Sequence, residues 1–401
     1  MKNILIGLSG GPSVAINSSL AGIMKAATKS QQIDKIYGAV NGIEGVLNDT
    51  IIDLGTYTDD YHLSLLQQTP AMALGSCRHK LKEESYPIIQ KILEKYEVGY
   101  FFYIGGNDSM DTVLKLNQYF KENQIAIQVI GVPKTIDNDL PVTDHTPGFG
   151  SAAKYLYHTI SEIIRDSQIY PVKNVVIVEI MGRNSGWLTL ASALPRFLGG
   201  KAPHIIAIPE TSFYEDQFIE KIKEVQQTEK TVICVVSEGI KTSDGEYVGM
   251  STKSGVVDSF GHTYLSGVGK YLEGLVMRKV GCKVRSIELN VMQRCSSHLA
   301  SKSDIDEATL IGEKAVEAAE NGESGITMVF QRTSNQPYQI EIAATDVANI
   351  ANKAKDVPIE WFDLENEKVQ KEIVAYMLPL IQGDINPIKD ETGLPIYINL
   401  R

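Results

Sequence analysis

The chain has only four cysteines, Cys77, Cys234, Cys282 and Cys295, scattered with no C-x-x-C and no paired spacing. That argues against a disulfide framework or a thiolate zinc site and fits a reducing compartment. Positive charge is also short: 38 Lys and Arg stand against 49 Asp and Glu, a net charge of −11. A nucleic-acid groove or a patch for anionic membranes needs the opposite balance, although a local cluster of Arg and Lys can still hold a small anion. No apolar run approaches the length of a membrane span, and the stretch from Met1 to Gly7 is too short for a signal peptide. A cytoplasmic protein is expected, with no nucleic acid and no membrane among its partners. Low-complexity segments and short-period repeats are missing as well. So are two nucleotide-binding signatures. No G-x-G-x-x-G follows a strand, and Gly269-Lys270 is followed by Tyr271 where a P-loop needs Ser or Thr. A dinucleotide dehydrogenase and a Walker-type NTPase are therefore disfavoured.

At 401 residues, 43% of them apolar, the chain can bury large cores. Residues 3–8, 99–104, 125–132, 174–180, 204–208, 231–236, 284–289 and 326–331 read as strands. Helices are read after Ser9-Gly10-Gly11-Pro12, from near Ser109, from Trp187 to Leu194 and over 307–320. This rhythm predicts an α/β protein of two doubly wound domains, with mainly parallel sheets flanked by helices. One domain is expected over 1–148 and about 293–350, the other over 149–292 and about 351–401, with the active site in the cleft between them. The crossover falls at 146–150. The proline-bearing tail after Glu365 is expected to wrap the surface.

Strand, glycine turn and helix recur at Ser9, Gly105 and Gly182, so three helix N-termini are expected to face anionic groups. A Gly-Gly pair alone is more often a plain turn. Gly105-Gly106-Asn107-Asp108-Ser109, however, adds a carboxylate at a helix start. Pro133-Lys134-Thr135-Ile136-Asp137-Asn138-Asp139 sets a lysine before two carboxylates. Both follow a predicted strand, at the end where open α/β sheets bind ligands. Asp-Asn-Asp is also common turn chemistry, and the lysine in the same loop is what tips the reading. On an extended segment Asp137 and Asp139 point the same way. Glycine lets amides approach a phosphate, lysine neutralises it, and a carboxylate binds a divalent cation or takes a hydroxyl proton. Arg78, Arg183 and Arg294, each beside a glycine- or serine-bearing turn, make a set of phosphate clamps. Phosphoryl transfer is the chemistry that needs this combination.

Taken in order, Ser9-Gly10-Gly11, Gly75-Ser76-Cys77-Arg78, Gly105 to Ser109, Lys134 to Asp139, Met181-Gly182-Arg183 and Gln293-Arg294 carry a resemblance. The chain resembles the phosphofructokinases, and within them the pyrophosphate-dependent type, from Met1 to about Arg332. The resemblance implies a reversible phosphotransferase of glycolysis. Phosphate would pass from pyrophosphate to the 1-hydroxyl of fructose 6-phosphate with Mg2+ as cofactor. It implies that Gly11, Arg78, Gly106, Asp108, Ser109 and Lys134 hold the donor. Asp137 would be the general base, with Lys134 and Arg183 also catalytic. Thr135, Ile136, Asp137, Asp139, Met181, Gly182, Arg183, Glu238 and Arg294 would bind the sugar phosphate. Arg285 matches an arginine that reaches the sugar phosphate from a neighbouring subunit, which implies a homo-oligomer, dimer or tetramer, with active sites near its interfaces.

The same resemblance bears on the donor. ATP-using members have glycine in place of Asp108 and of Lys134. A carboxylate at Asp108 would face a nucleotide's α-phosphate, and like charges about 4 Å apart cost about 4 kcal/mol at an effective dielectric near 20. That is roughly a thousandfold in affinity. Lys134 adds a point charge suited to a compact pyrophosphate. Asn107 stands where ATP-type members put a metal-contacting aspartate, so the metal is expected on Asn107 or Asp108. Val291 replaces a His or Tyr beside the sugar phosphate, which leaves room for another ketose phosphate such as sedoheptulose 7-phosphate. Asn174, beside Lys173, replaces a second inter-subunit arginine, and the first helix carries no arginine, which implies little allosteric control. An ATP-dependent 6-phosphofructokinase and a catalytically silent sugar-phosphate sensor are the remaining readings. The presence of Asp137 and Arg183 weighs against the second.

Overall fold

A computed structural model describes residues 1–249 and 267–401. Eleven strands fall into two sheets among these residues. The first holds β1 (Lys2–Leu8), β2 (Ile33–Ala39), β3 (Ile51–Asp53), β4 (Val98–Gly105) and β5 (Gln128–Pro133). The second holds β6 (Asn174–Ile180), β7 (Ile205–Ala207), β8 (Thr231–Ser237) and β9 (Lys283–Glu288). The chain then returns to the first sheet with β10 (Ile326–Asn335) and β11 (Tyr338–Asp346). The first sheet runs β11-β10-β5-β4-β1-β2-β3 and the second β7-β8-β6-β9. The second is parallel throughout; the first has antiparallel pairs only at its margins, β2 with β3 and β10 with β11. The mainly parallel α/β prediction stands.

Every residue of β4, β6 and β8 is buried. Parallel strands covered by helices on both faces have no solvent side, so their sequence is one apolar run and they are easy to read. Two longer strands escaped the sequence reading. β2 interrupts its apolar residues with exposed Asp34 and Lys35, and β11 alternates as a half-solvated edge strand. The helix expected from Trp187 to Leu194 is broken into Trp187–Ala191 and Leu194–Phe197, because Pro195 cannot continue the first one and starts the second.

Strand order reverses between β1 and β4 in the first sheet, and both neighbours of β6 lie later in sequence in the second. Crevices at the carboxyl ends of such strands are where open sheets take ligands. The helix Phe149–Ser167 leads from one sheet to the other. Its start is pinned by buried Asp304, whose carboxylate accepts from Gly148 N at 2.8 Å, Ser151 N at 3.0 Å and Ser151 Oγ at 2.5 Å.

The tail differs from expectation. It contains the helix Glu367–Met377, with Val369, Ile373 and Met377 at helical spacing and buried in the core of the second sheet. The final residues do not stay there: Leu400 and Ile398 join the core of the first sheet. The amide of Gln68 fastens this return by donating to Ile388 O at 2.9 Å and Ile396 O at 2.5 Å. Prolines around the helix masked its apolar stripe in the sequence.

Candidate active site

The loops after β1, β4 and β5 come together first. Ser9 N donates to Ile104 O at 2.9 Å, and Ser76 Oγ donates to Gly10 O at 2.6 Å. A Cβ on Gly105 would stand 2.0 Å from Ser109 Oγ and 3.3 Å from Ser9 O, so only glycine permits this approach. Lys134 crosses both turns. Its N–H donates to Gly105 O at 2.9 Å, and its ammonium donates to Gly11 O at 2.5 Å. The side chain is 3% exposed. Burial pulls its pKa down to about 8, against the opposing pull of Asp137 and, more weakly, Asp139.

Asp108 lies in the first turn of the helix Asn107–Glu122. It opens onto a cleft of about 160 Å³ lined by His79, Lys80, Asp111, Lys115 and Asn352. Arg78 is exposed at the start of the same 78–81 segment. Asn107 is spent elsewhere: its Oδ1 accepts from Asn352 N at 2.5 Å and its amide donates to Lys353 O. Of the two expected metal contacts, Asp108 alone keeps its side chain toward the cleft. Of the three expected helix N-termini, only this one opens directly from its glycine turn onto a long helix. The first helix starts at Ile16, beyond the Gly10-Gly11 turn, and Trp187–Ala191 is five residues long.

In the loop after β5, Ile136, Asn138 and Leu140 are buried while Thr135, Asp137 and Asp139 are partly open, so the two carboxylates share a face as the alternation predicted. The segment is not simply extended, because Asn138 sits in the left-handed region at φ 57°. It is held there by donating to Tyr376 Oη at 2.8 Å. Asp137 N donates to Thr135 Oγ1 at 3.1 Å, and Ser185 Oγ donates to Asp137 O at 3.3 Å. Burial raises the pKa of Asp137, while the charges of Lys134, Arg183 and Arg294 oppose the rise. Asp139 is pushed up to about 7 by burial and by the like charge of Asp137. The two carboxyls behave as a pair that resists carrying two negative charges.

The loops after β6, β8 and β9 close the other side. Met181 N donates to Gln293 Oε1 at 3.1 Å, Gly182 N to Glu238 Oε1 at 3.2 Å, and Ser237 Oγ to Gly182 O at 2.5 Å. Burial pushes the Glu238 carboxyl up to about 7. The Nε of Arg183 is buried with no hydrogen-bond partner among the described residues. Such a buried, unpaired donor is a place where an anionic ligand can complete the hydrogen bonding. Arg294, on the short helix Met292–Cys295, brings Nη1 to 3.6 Å from the position a Gly11 Cβ would take, so it bridges the two sides.

Arg285 does not join this cluster within the chain. It is exposed on the edge strand β9, in a separate cleft of about 260 Å³ with Tyr170, Val172 and Lys283. Asn174 lines the same cleft, with its amide donating to Thr231 Oγ1 at 2.9 Å. Val291 is 46% exposed beside Arg294. The sequence reading missed Lys355, whose N–H donates to Asp139 O at 2.7 Å. A lone lysine in a loop more than 200 residues further on carries no local signal.

Buried Lys134 between glycine turns of the first sheet, the paired carboxyls of Asp137 and Asp139 beside it, and Arg183 from the loops of the second sheet form the kind of site a phosphotransferase needs. The phosphofructokinase family model matches residues 3–319. A protein of Halomonas elongata named pyrophosphate–fructose 6-phosphate 1-phosphotransferase is 36% identical over 98% of this chain and 94% of its own length. One of the same name from Xanthomonas campestris is 36% identical over 100% of this chain and 96% of its own. The crystal structure of a pyrophosphate-dependent phosphofructokinase from Nitrosospira multiformis is 33% identical, with a TM-score of 0.88 over 99% of this chain and 96% of that one. The chain belongs to the phosphofructokinase family. Among the described residues no helix is long and apolar enough to cross a membrane.

Proposed function

We propose that the protein transfers a phosphoryl group from pyrophosphate to the 1-hydroxyl of fructose 6-phosphate, reversibly, as a cytoplasmic enzyme of glycolysis. The observation that carries this reading is buried Lys134, tying both donor-side turns and set against the carboxylate of Asp137. In this reading Gly11, Gly106, Ser109, Arg78, Asp108 and Lys134 hold the pyrophosphate, and Thr135, Ile136, Asp139, Met181, Gly182, Arg183, Glu238 and Arg294, with Asp137, hold the sugar phosphate. Asp137 takes the proton of the 1-hydroxyl as that oxygen bonds to phosphorus. The bridging phosphorus–oxygen bond breaks and phosphate leaves. Lys134 and Arg183 neutralise charge on the phosphoryl group in flight. Arg285 reaches the sugar phosphate of a second copy, which makes the working form a homo-oligomer.

Magnesium belongs to the same reading. Among the described residues no group of three or more acidic, histidine or cysteine side chains is arranged to hold a metal ion by itself. That fits an ion held by one or two carboxylates together with substrate phosphates. Asp108 is the carboxylate for it, and when bound the ion would neutralise donor oxygens.

The test is initial rate on fructose 6-phosphate with magnesium, with pyrophosphate and ATP compared in parallel. Strong preference for pyrophosphate is expected; a higher rate with ATP would refute the donor assignment. Exposed Val291 favours a second reading of the acceptor, in which longer ketose phosphates such as sedoheptulose 7-phosphate also turn over. The sugar side offers its own check. A Cβ on Gly239 would lie 1.8 Å from Arg183 O, so Gly239→Ala must push the Arg183 backbone out of place. The KM for the sugar phosphate is expected to rise at least about tenfold, or 1.4 kcal/mol, with the KM for pyrophosphate little changed. Equal change in both would detach Arg183 from the sugar.

A further inference from the structure

Between β11 and the C-terminal helix, residues 352–357 form a strap that meets three parts of the site in turn. Asn352 N and Lys353 O bond the two ends of the Asn107 amide, and Asn352 Nδ2 donates to Asp111 Oδ1 at 2.9 Å. These bonds hold the first turn of the helix that carries Asp108. Two residues on, the Lys355 N–H donates to Asp139 O at 2.7 Å. Its ammonium donates to Thr143 O at 3.1 Å and Asp144 O at 2.8 Å, so one residue grips both ends of the 139–144 segment. Lys355 O accepts from the Trp187 indole at 3.1 Å, and the ammonium lies 5.1 Å from the centroid of that ring. Val357 N donates to Glu210 Oε1 at 3.1 Å, the oxygen that also takes Gly186 N at 2.8 Å. Gly186 and Trp187 open the helix that follows Arg183.

We propose that this strap fixes the spacing between the donor turn, the base and the sugar-side loop, and that Lys355 is the positioning residue at its centre. The inference rests on the phosphotransferase reading, because the position of Asp137 matters only if it acts on substrate. The side-chain type fits the task. An ammonium has three donors that can spread over two carbonyls while its charge rests on an aromatic face. A methionine fills the same space and makes none of these bonds. Geometry at the base is worth a great deal, since small misplacements of reacting groups cost large factors in rate. The ammonium also acts through charge. Asp139 and Asp144 face it, with Arg332 opposing, and Asp139 in turn faces Asp137 and Lys134. Without this cation, Asp139 holds its proton to higher pH.

The experiment compares Lys355→Met and Lys355→Arg with the wild type in the full chain, using pyrophosphate, fructose 6-phosphate and magnesium. In Lys355→Met, kcat is expected to fall about tenfold or more while each KM stays within about threefold. The acid limb of kcat/KM is expected to move to higher pH, and Lys355→Arg to recover part of the rate. Wild-type kcat with an unmoved acid limb would overturn the proposal, as would a loss that follows the melting temperature alone. If Lys355→Met does not fold, Trp187→Phe carries the test, read beside its melting temperature, by removing the indole N–H that bonds Lys355 O while keeping an aromatic face for the ammonium. A several-fold lower kcat at unchanged KM supports the strap, and a wild-type kcat overturns it. Failure of the underlying reading is distinguishable, because the wild type itself would then show no turnover with these substrates.

Discussion

Asp137→Asn is expected to lower kcat by at least about 10²-fold, with far smaller changes in either KM and no loss of thermal stability. The two halves of this expectation have one cause. The Asp137 carboxyl is raised in pKa chiefly by burial, so the fold disfavours its charged form. A neutral amide of the same shape removes that penalty while removing the carboxylate that takes the hydroxyl proton. Steady-state kinetics and a melting curve on the same preparation decide it. Near-normal turnover would take the base role away from Asp137, and a large drop in melting temperature would mark the residue as structural.

The neighbour sets the pH dependence. The Asp137–Asp139 pair must lose a proton for the base to work, and Asp139 stands at about 7. Lys134, at about 8, must keep its proton to hold the donor. Activity on free enzyme is therefore expected as a narrow bell between these limits. Asp139→Asn removes the like charge beside Asp137, so its acid limb is expected at lower pH. Stability follows the opposite rule. A carboxyl with a raised pKa stabilises the fold fully below its unfolded value, and that contribution is lost as pH rises through about 7. Lys134 is depressed, so its contribution is present above the unfolded lysine value and lost as pH falls through about 8. Near neutrality both groups oppose folding, and anionic substrate relieves the lysine.

The parts of the site that could be read in the sequence are those carried by local pattern. β4 is an unbroken apolar run ending in Gly105-Gly106, and the lysine and two aspartates follow β5 within seven residues. The alternation of Asp137 and Asp139 was legible; the left-handed turn at Asn138 was not, because it depends on Tyr376, 238 residues away. Lys355 was hidden for the same reason. The edge strand β11 was missed because half-solvated alternation with Gln339 and Glu341 resembles a polar loop. Asn107 illustrates a different limit. Its residue type fits a metal contact, and only the path of the 352–357 strap shows both ends of its amide already taken.

Lys134→Met is expected to lower kcat/KM for pyrophosphate by at least about 10³-fold, the scale of removing a preorganised charge from a transition state. Methionine keeps the buried stem and loses the ammonium that bonds Gly11 O. Two consequences follow from the electrostatics and separate this role from a mere strut. The cation that opposes the rise in Asp137 is gone, so the acid limb moves to higher pH. The alkaline limb near 8 disappears, since the group that titrates there is absent. A strut would show loss of stability with both limbs in place. Exclusion of ATP is a separable matter, because Asp108 sits at the outer cleft with Lys80 and Lys115 rather than against Lys134. Asp108→Gly is therefore expected to admit ATP while pyrophosphate use weakens with the loss of the magnesium carboxylate, and adding the Lys134 change then abolishes pyrophosphate use. If Asp108→Gly leaves ATP excluded, the cleft wall and not the carboxylate does the excluding.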